Sequence, residues 1–469
     1  MDVPTCKGCR ERDARLAKLE AEVAELRHLV RELQARLGQN ASNSSIPPSA
    51  NPPQAPPPVQ KQPTGRKPGG QPGHTAHLRV RLPPERLTEP TVYYRPKACA
   101  ACAHDLPLAS GPDDPEPRWH QVVELPEMPV QVTEYQAQGR TCPNCGEITW
   151  AKIPDAIHAH GCGPRLTATL SYLSAVMHAS KRNIEDFVET VLGVPIALGT
   201  VSNLEQEMSA ALAAAHAEAQ QAVQQAPAKN VDETGWKQAG AKRWLWGAAT
   251  ALVVCFVITP SRGAVGLAAL LGKKIKGIIS SDRWSVYGQL RVGLRQLCWA
   301  HLKRDFQKLV DRGGASADYG EKGLAAVHIL FTEWHLFRGG GSRQQLRFEL
   351  EPLRQAVRDW LGDGRSCADA KTATFCQNLL AVEPALWTFL SKEGVEPTNN
   401  HIERLLRSGV LWRKNAFGCH SESGCRFVER ILTVTQTLRL QQRPVLEFLY
   451  HSLVAHRRGL PAPALLAEQ

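Results

Sequence analysis

No run of eighteen apolar residues occurs in this 469-residue chain; its most apolar stretch, Ala248 to Ile258, is too short to cross a bilayer. No membrane partner is therefore expected. The opening Met1-Asp2-Val3-Pro4 begins no apolar signal region, so export is not expected either. Thirteen cysteines without such a signal point to a reducing, cytoplasmic setting, where Cys-x-x-Cys pairs read as metal or redox sites. Acidic residues are in deficit: 45 Asp and Glu against 56 Lys and Arg leave a net charge of +11. That imbalance favours a polyanionic partner, nucleic acid first, although charge sets neither fold nor chemistry. The length is too great for one core and predicts roughly two to four domains.

What is present begins with a repeat. Leu16, Leu19, Val23, Leu26, Val30, Leu33 and Leu37 alternate spacings of three and four, and Gly38 stands where a helix C-cap belongs. Residues 1–38 therefore predict a short parallel coiled coil and a homodimer or higher oligomer, with a lone amphipathic helix as the alternative. Cys6 and Cys9 precede the repeat and either close a site across a dimer or are two free thiols. Residues 39–80 turn Pro-rich (Pro47-Pro48, Pro52-Pro53, Pro56-Pro57-Pro58) and end in Lys61, Arg66 and Lys67. Such a segment cannot form a core; it is an extended linker that tracks a phosphate backbone or a plain tether.

Cys99, Cys102, Cys142 and Cys145 form two Cys-x-x-Cys pairs, the ligand set of a tetrahedral structural Zn²⁺. Residues 81–155 are expected to form this zinc-binding domain, with Trp119 to Leu125 and Pro129 to Tyr135 as an extended hairpin between the pairs. His104, or the group His158, His160 and Cys162, could replace one ligand. A redox role is the other reading, and no βαβ pattern supports it. Residues 156–226 have helical periodicity. Asn183 to Leu192, a turn with Gly193 and Pro195, and a third helix with Thr200 as N-cap outline a helix-turn-helix; an ordinary helical hairpin competes with it.

At Pro227 the texture changes to strands: 230–236, 243–248, 253–258, then 277–282 and 294–298. An antiparallel meander followed by strands alternating with helices fits an RNase H-like domain over 227–425, with a helical insertion at about 315–395. Asp232 sits in the first strand and Asp282 at the end of the fourth, where neighbouring strands can bring their carboxylates together. Such acids repel unless a cation intervenes, and hard oxygen ligands suit Mg²⁺ or Mn²⁺. Two such ions can assist both oxygens of a phosphodiester displacement. Glu403 is the candidate third carboxylate, on a helix where Ile402, Leu405 and Gly409 share one side and Asn400, Glu403 and Arg407 another. By itself Glu403 reads as a solvated ion-pair face. Residues 426–469 are a C-terminal helical region, with Arg426 to Tyr450 as an amphipathic helix carrying Arg430, Arg439 and Arg443 on polar positions. The fold class is thus multidomain α+β.

These motifs together resemble a transposase of the insertion-sequence-66 family, a DDE enzyme of bacterial mobile elements. The resemblance rests on the Gln39-to-Ser45 and Gly65-to-His74 runs, both Cys-x-x-Cys pairs, Asp232-Glu233-Thr234-Gly235-Trp236, Ser281-Asp282 and Asn399-Asn400-His401-Ile402-Glu403-Arg404, followed by Arg413-Lys414-Asn415. Cys298-Trp299-Ala300-His301 is similar to a Cys/Asp-x-x-His element of many such enzymes. The resemblance implies a catalytic, Mg²⁺-holding triad of Asp232, Asp282 and Glu403, in preference to Glu233, which should point to the opposite sheet face. It assigns His301, Arg404, Arg407, Arg413 and Lys414 supporting or DNA-contacting roles. It further implies binding of element ends and target DNA, metal-dependent cleavage and strand transfer, nucleoid association in a bacterial cytoplasm, and small accessory proteins as partners. A non-catalytic DNA-binding regulator and a nuclease without strand transfer are the alternatives. Cys419 and Cys425 have no evident purpose.

Overall fold

The computed structural model describes residues 81–466, apart from 110, 113, 125–129 and 159, together with scattered positions between 15 and 30. Those scattered positions are helical, with Val23, Leu26 and Val30 exposed. The rest of the heptad segment, Cys6, Cys9 and the linker 39–80 lie outside the described residues. The chain divides into two compact units, Val59–Thr133 and Glu134–Gln469 with Met1–Pro58, so the expected 81–155 domain crosses a unit boundary. The expected hairpin between the cysteine pairs is not formed: described residues 119–124 and 130–135 are neither helix nor strand. Val122, Val123 and Val132 stand 82%, 66% and 82% exposed. β-Branched composition makes a strand only where a pleated face is covered. Instead β1 (Gly139–Thr141) and β2 (Ile148–Trp150) form a short antiparallel hairpin with Cys142 and Cys145 in its turn.

A one-turn helix α1 (Asp155–His158) leads to α2 (Pro164–Val176), α3 (Lys181–Leu192) and α4 (Leu198–Ala211). Leu170, Ile184, Val188, Ile196, Val201 and Leu204 make a small core among the last three. Ser180 caps α3 by accepting the Asn183 N–H, and Gly193 ends it in the left-handed region. Thr200 is not the cap of α4. That helix opens at Leu198 without a side-chain cap, because burial of Ile196 just before it sets the entry of the chain. α5 (Ala213–Gln225) follows almost directly and buries Ala215, Ala219 and Val223 on one stripe.

The central sheet has the order β5-β4-β3-β6-β7. β3 (Ala228–Gln238), β4 (Ala241–Ala249) and β5 (Val254–Thr259) are an antiparallel meander. Ala239 and Gly240, both at positive φ, supply the two-residue turn between the first two. β6 (Ile278–Ser281) and β7 (Arg295–Leu297) run parallel to β3, with Asn230 paired to Ser280. α6 (Ala264–Leu271) covers one face: Gly266 lies so close to Trp246 that a Cβ there would meet its Nε1 at 2.4 Å. The helix Asn400–Ala416 covers the other.

Four helices follow the sheet's last strand: α7 (Trp299–Arg312), α8 (Ala315–Arg338), α9 (Arg343–Gly364) and α10 (Ala370–Ala381). They enclose a second core around Phe306, Leu330, Leu350 and Leu361. The chain then returns through two 3₁₀ turns to α11 (Asn400–Ala416), α12 (Glu422–Leu440) and α13 (Val445–Arg457). The expected amphipathic helix over 426–450 is thus two helices. α12 is buried along most of its length, and Arg430 donates to the Ser209 carbonyl at 2.9 Å instead of facing solvent. The reason lies at the sheet edge. The N–H groups of Val254, Phe256 and Ile258 on β5 donate to Thr437 Oγ1 (3.1 Å), Thr433 Oγ1 (3.0 Å) and Glu429 Oε1 respectively. Four helical residues and two strand residues rise by nearly the same distance, about 6 and 6.6 Å, so every fourth helix side chain meets every second strand amide. At the opposite edge Thr388 Oγ1 donates to the Arg295 carbonyl at 2.6 Å, and the Gln296 side chain in turn accepts the Phe389 N–H at 2.8 Å.

Candidate active site

The β3–β6 register brings two of the predicted acids to equivalent places. Asp232 lies two residues beyond Asn230, and Asp282 two residues beyond its partner Ser280. On β4, Gly247 pairs with Asp232, and a Cβ on Gly247 would meet Ile402 Cδ1 at 2.9 Å. The missing side chain is what lets the first turn of α11, which carries Glu403, lie over the Asp232 face. Glu233 pairs with Trp246 on the α6 face, so the two adjacent acids do point to opposite sides. Burial holds the Asp232 carboxyl well above the ordinary carboxylate range, and the charges of Glu233, Asp282 and Glu403 push it the same way.

Asp282 Oδ1 accepts the Trp284 N–H at 2.8 Å. The strand junction beside it is tied by Cys298, whose N–H donates to the Ser281 carbonyl at 2.9 Å and whose sulfur accepts the Asn399 N–H at 3.3 Å. Cys298 therefore links the end of β6 to the start of α11. One helical turn on, His301 Nδ1 stands 3.5 Å from Glu403 Oε1. Burial and the nearby Arg304 hold the imidazole pKa below its usual value against the opposing pull of Glu403, which disfavours an ion pair here.

Cys298, His301 and Glu403 bring one potential ligand atom each within 4.8 Å of one another, the group of three found among the described residues. Burial pushes the Cys298 thiol up to about 12, so it is a neutral hydrogen-bond acceptor and a poor match for a hard cation. The oxygen and nitrogen donors fit better. Glu403 Oε1, His301 Nδ1 and both amide atoms of Asn399 are buried without a hydrogen bond. Unpartnered polar atoms gathered at one place are what a site for a cation or phosphate leaves behind in the protein alone. Sequence reasoning missed two further participants. Asn399 is fully buried, and Arg295 is 5% exposed and interacts favourably with Asp282. Asn399 stands in the Asn399-to-Arg404 motif but had no role assigned to it, and Arg295 is a charged residue opening a short buried strand, with no spacing signal.

The other predicted residues are placed as follows. Arg404, Arg407 and Lys414 are exposed on α11. Arg413 is not open to solvent in the same way: its guanidinium donates to the Gly235 carbonyl on β3. Cys99 and Cys102 lie in one unit, Cys142 and Cys145 in the other. Each pair forms the same knuckle. The first cysteine donates its N–H to the carbonyl five residues on, and its carbonyl accepts from the residue four on, Ala103 or Gly146, both at positive φ. Backbone N–H groups within each knuckle hold Cys99 and Cys142 below the ordinary thiol pKa.

Residues 161–426 match the model of the transposase IS66 family, and residues 3–80 match a family of unknown function (DUF6444). Two proteins of Sinorhizobium fredii are similar. Uncharacterized protein y4qI is 28% identical over 250 residues, covering 48% of this chain and 46% of that protein. Uncharacterized protein y4hP is 24% identical over 400 residues, covering 77% and 71%. The chain thus spans about half the length of the first of these relatives.

Proposed function

The chain belongs to the IS66 transposase family, and we propose that it cuts and joins DNA with Asp232, Asp282 and Glu403 as the triad of an RNase H-like, DDE catalytic domain. The observation that supports this reading most is electrostatic. Asp232 is driven toward its protonated form by burial and then by the charges of Glu233, Asp282 and Glu403, a cost that a bound cation would offset. Asp232, Asp282 and Glu403 would hold Mg²⁺ or Mn²⁺, with His301 beside Glu403. Bound there, such ions supply activation of the attacking oxygen and stabilisation of the leaving oxygen of a phosphodiester.

The protein's own contribution is placement. Cys298 and Asn399 tie β6 to α11, so the helix that carries Glu403 is fixed relative to Asp282. Arg404 and Arg407, exposed beside Glu403, are set to take phosphate oxygens, and Lys414 extends that basic face. Arg413 acts through the β3 backbone and so positions the Asp232 strand. Cys99, Cys102, Cys142 and Cys145 supply thiolates of the kind a structural Zn²⁺ takes. The helix-turn-helix over α3 and α4 would read the element's ends, the heptad segment would pair two copies, and small accessory proteins of the same element would join them on DNA in the bacterial cytoplasm.

Incubating the full chain with element-end DNA and Mg²⁺ tests the proposal. Nicked and joined products are both expected. Nicking without joining would reassign the protein as a nuclease, and binding without either would make it a regulator.

A further inference from the structure

Resting on that reading, we infer that Trp284 is a stacking platform for an unpaired base of the DNA strand at the cleavage position. Its place in the chain comes first. Trp284 follows Asp282 by two residues, and its N–H is bonded to the Asp282 carboxylate. Whatever moves Trp284 is therefore felt at an acid of the triad.

Its environment comes second. Seven of the tryptophans between Trp236 and Trp412 are at most 9% exposed; Trp284 is 38% exposed. One ring face is already supported: the Arg262 guanidinium lies 3.9 Å from its centroid. Arg262 in turn lies 4.8 Å from the Trp244 ring, and Lys242 Nζ stands 5.0 Å from that same ring. Lys242, Trp244, Arg262 and Trp284 are thus joined by a chain of cation–ring contacts. That chain is anchored by Glu233, a 1% exposed carboxylate that accepts from Arg262 Nε at 2.8 Å.

An exposed indole held flat by a fixed guanidinium, in a row of positive charge, matches what a nucleobase and its phosphates require. The base offers a π-face to the ring, and the phosphate finds Lys242 and Arg262 nearby. Stacking requires a base outside the duplex, so the ligand is single-stranded or frayed DNA.

The test compares the full chain's affinity for an oligothymidylate and for an abasic oligomer of equal length and charge. The wild type should prefer the oligothymidylate by about five- to 150-fold, the range that one stacked base contributes. Trp284→Ala should abolish the preference without weakening abasic binding. Trp284→Phe should keep it, while losing the tryptophan fluorescence quench that accompanies oligothymidylate binding; this second readout does not depend on the alanine variant folding. A wild type without preference, or an alanine or phenylalanine variant with an unchanged preference and quench, overturns the inference and leaves the triad untouched. A chain that binds neither the oligomers nor duplex DNA overturns the inference together with the reading beneath it.

Discussion

On the α6 face of the sheet, Glu233 is bonded at both oxygens, by Arg262 Nε at 2.8 Å and Tyr287 Oη at 3.0 Å. One residue earlier on the same strand, Asp232 faces the other way, toward α11, and its strongest electrostatic neighbours are acids. Glu233 is buried and Asp232 half-buried, and both have raised pKa values, desolvation being the first cause in each. The difference is that Glu233 has a counter-charge in Arg262, whereas no ion pair to Asp232 is found among the described residues. On the proposed reading, Glu233 is the acid that holds structure and Asp232 the acid that would hold a ligand.

That contrast is broken most severely by exchanging the fates of the two acids. Asp232→Asn should lower Mg²⁺-dependent strand cleavage by about 10³-fold or more, a barrier increase of about 4 kcal/mol, while leaving the unfolding midpoint without metal unchanged or higher. Glu233→Ala should do the reverse in kind. Leaving Arg262 and Tyr287 without their acceptor should cost about 2–4 kcal/mol in denaturant unfolding, toward the lower end because a third of Arg262 is in solvent. An Asp232→Asn variant that still cuts, or a Glu233→Ala variant as stable as wild type, ends the distinction.

A gentler perturbation uses pH. A carboxyl whose folded pKa is raised binds its proton more tightly folded than unfolded. Its stabilising contribution is therefore complete below the unfolded value of 3.8 and is lost as pH rises through the folded value. In chelator, wild-type stability should fall relative to Asp232→Asn as pH rises above 3.8, and Mg²⁺ should cancel the divergence. Parallel curves in chelator would mean that Asp232 ionises freely without a cation. Glu429, raised to about 7 by burial, adds a slope common to both proteins that the subtraction removes. The smallest effect is expected from Tyr287→Phe, which should cost about 1–2 kcal/mol of stability and leave Mg²⁺ affinity within error, because the phenol serves only Glu233. A changed Mg²⁺ affinity would show that the two faces are coupled.

How much of this was legible in the chain depends on whether a residue's partner lies in its own element. The five strands were readable because Val, Ile, Trp and Phe recur where the sheet is covered, and the Ile402, Leu405, Gly409 stripe was readable because helical periodicity is local. The placement of Asp232 and Asp282 followed from strand order. Glu233's partners did not, since Arg262 and Tyr287 sit in connections with no pattern around them. α12 departs from the expected amphipathic pattern for a related reason: Arg430 donates to the Ser209 carbonyl, and Thr433, Thr435 and Thr437 are fully buried. Two of them satisfy backbone amides of a strand some 180 residues away, which no periodicity announces. Described residues 119–124 and 130–135 differ the other way, with strand composition and no covering face.

The seal on β5 also sets an order of events. Ile258 is synthesised 171 residues before Glu429, and Phe256 177 residues before Thr433. Throughout that interval the newborn chain carries a row of open amides, ready to accept a strand from any neighbouring nascent chain. Only a segment made much later closes it. A copy of the gene broken just after Glu403 would still encode all three acids, and its product would be born adhesive.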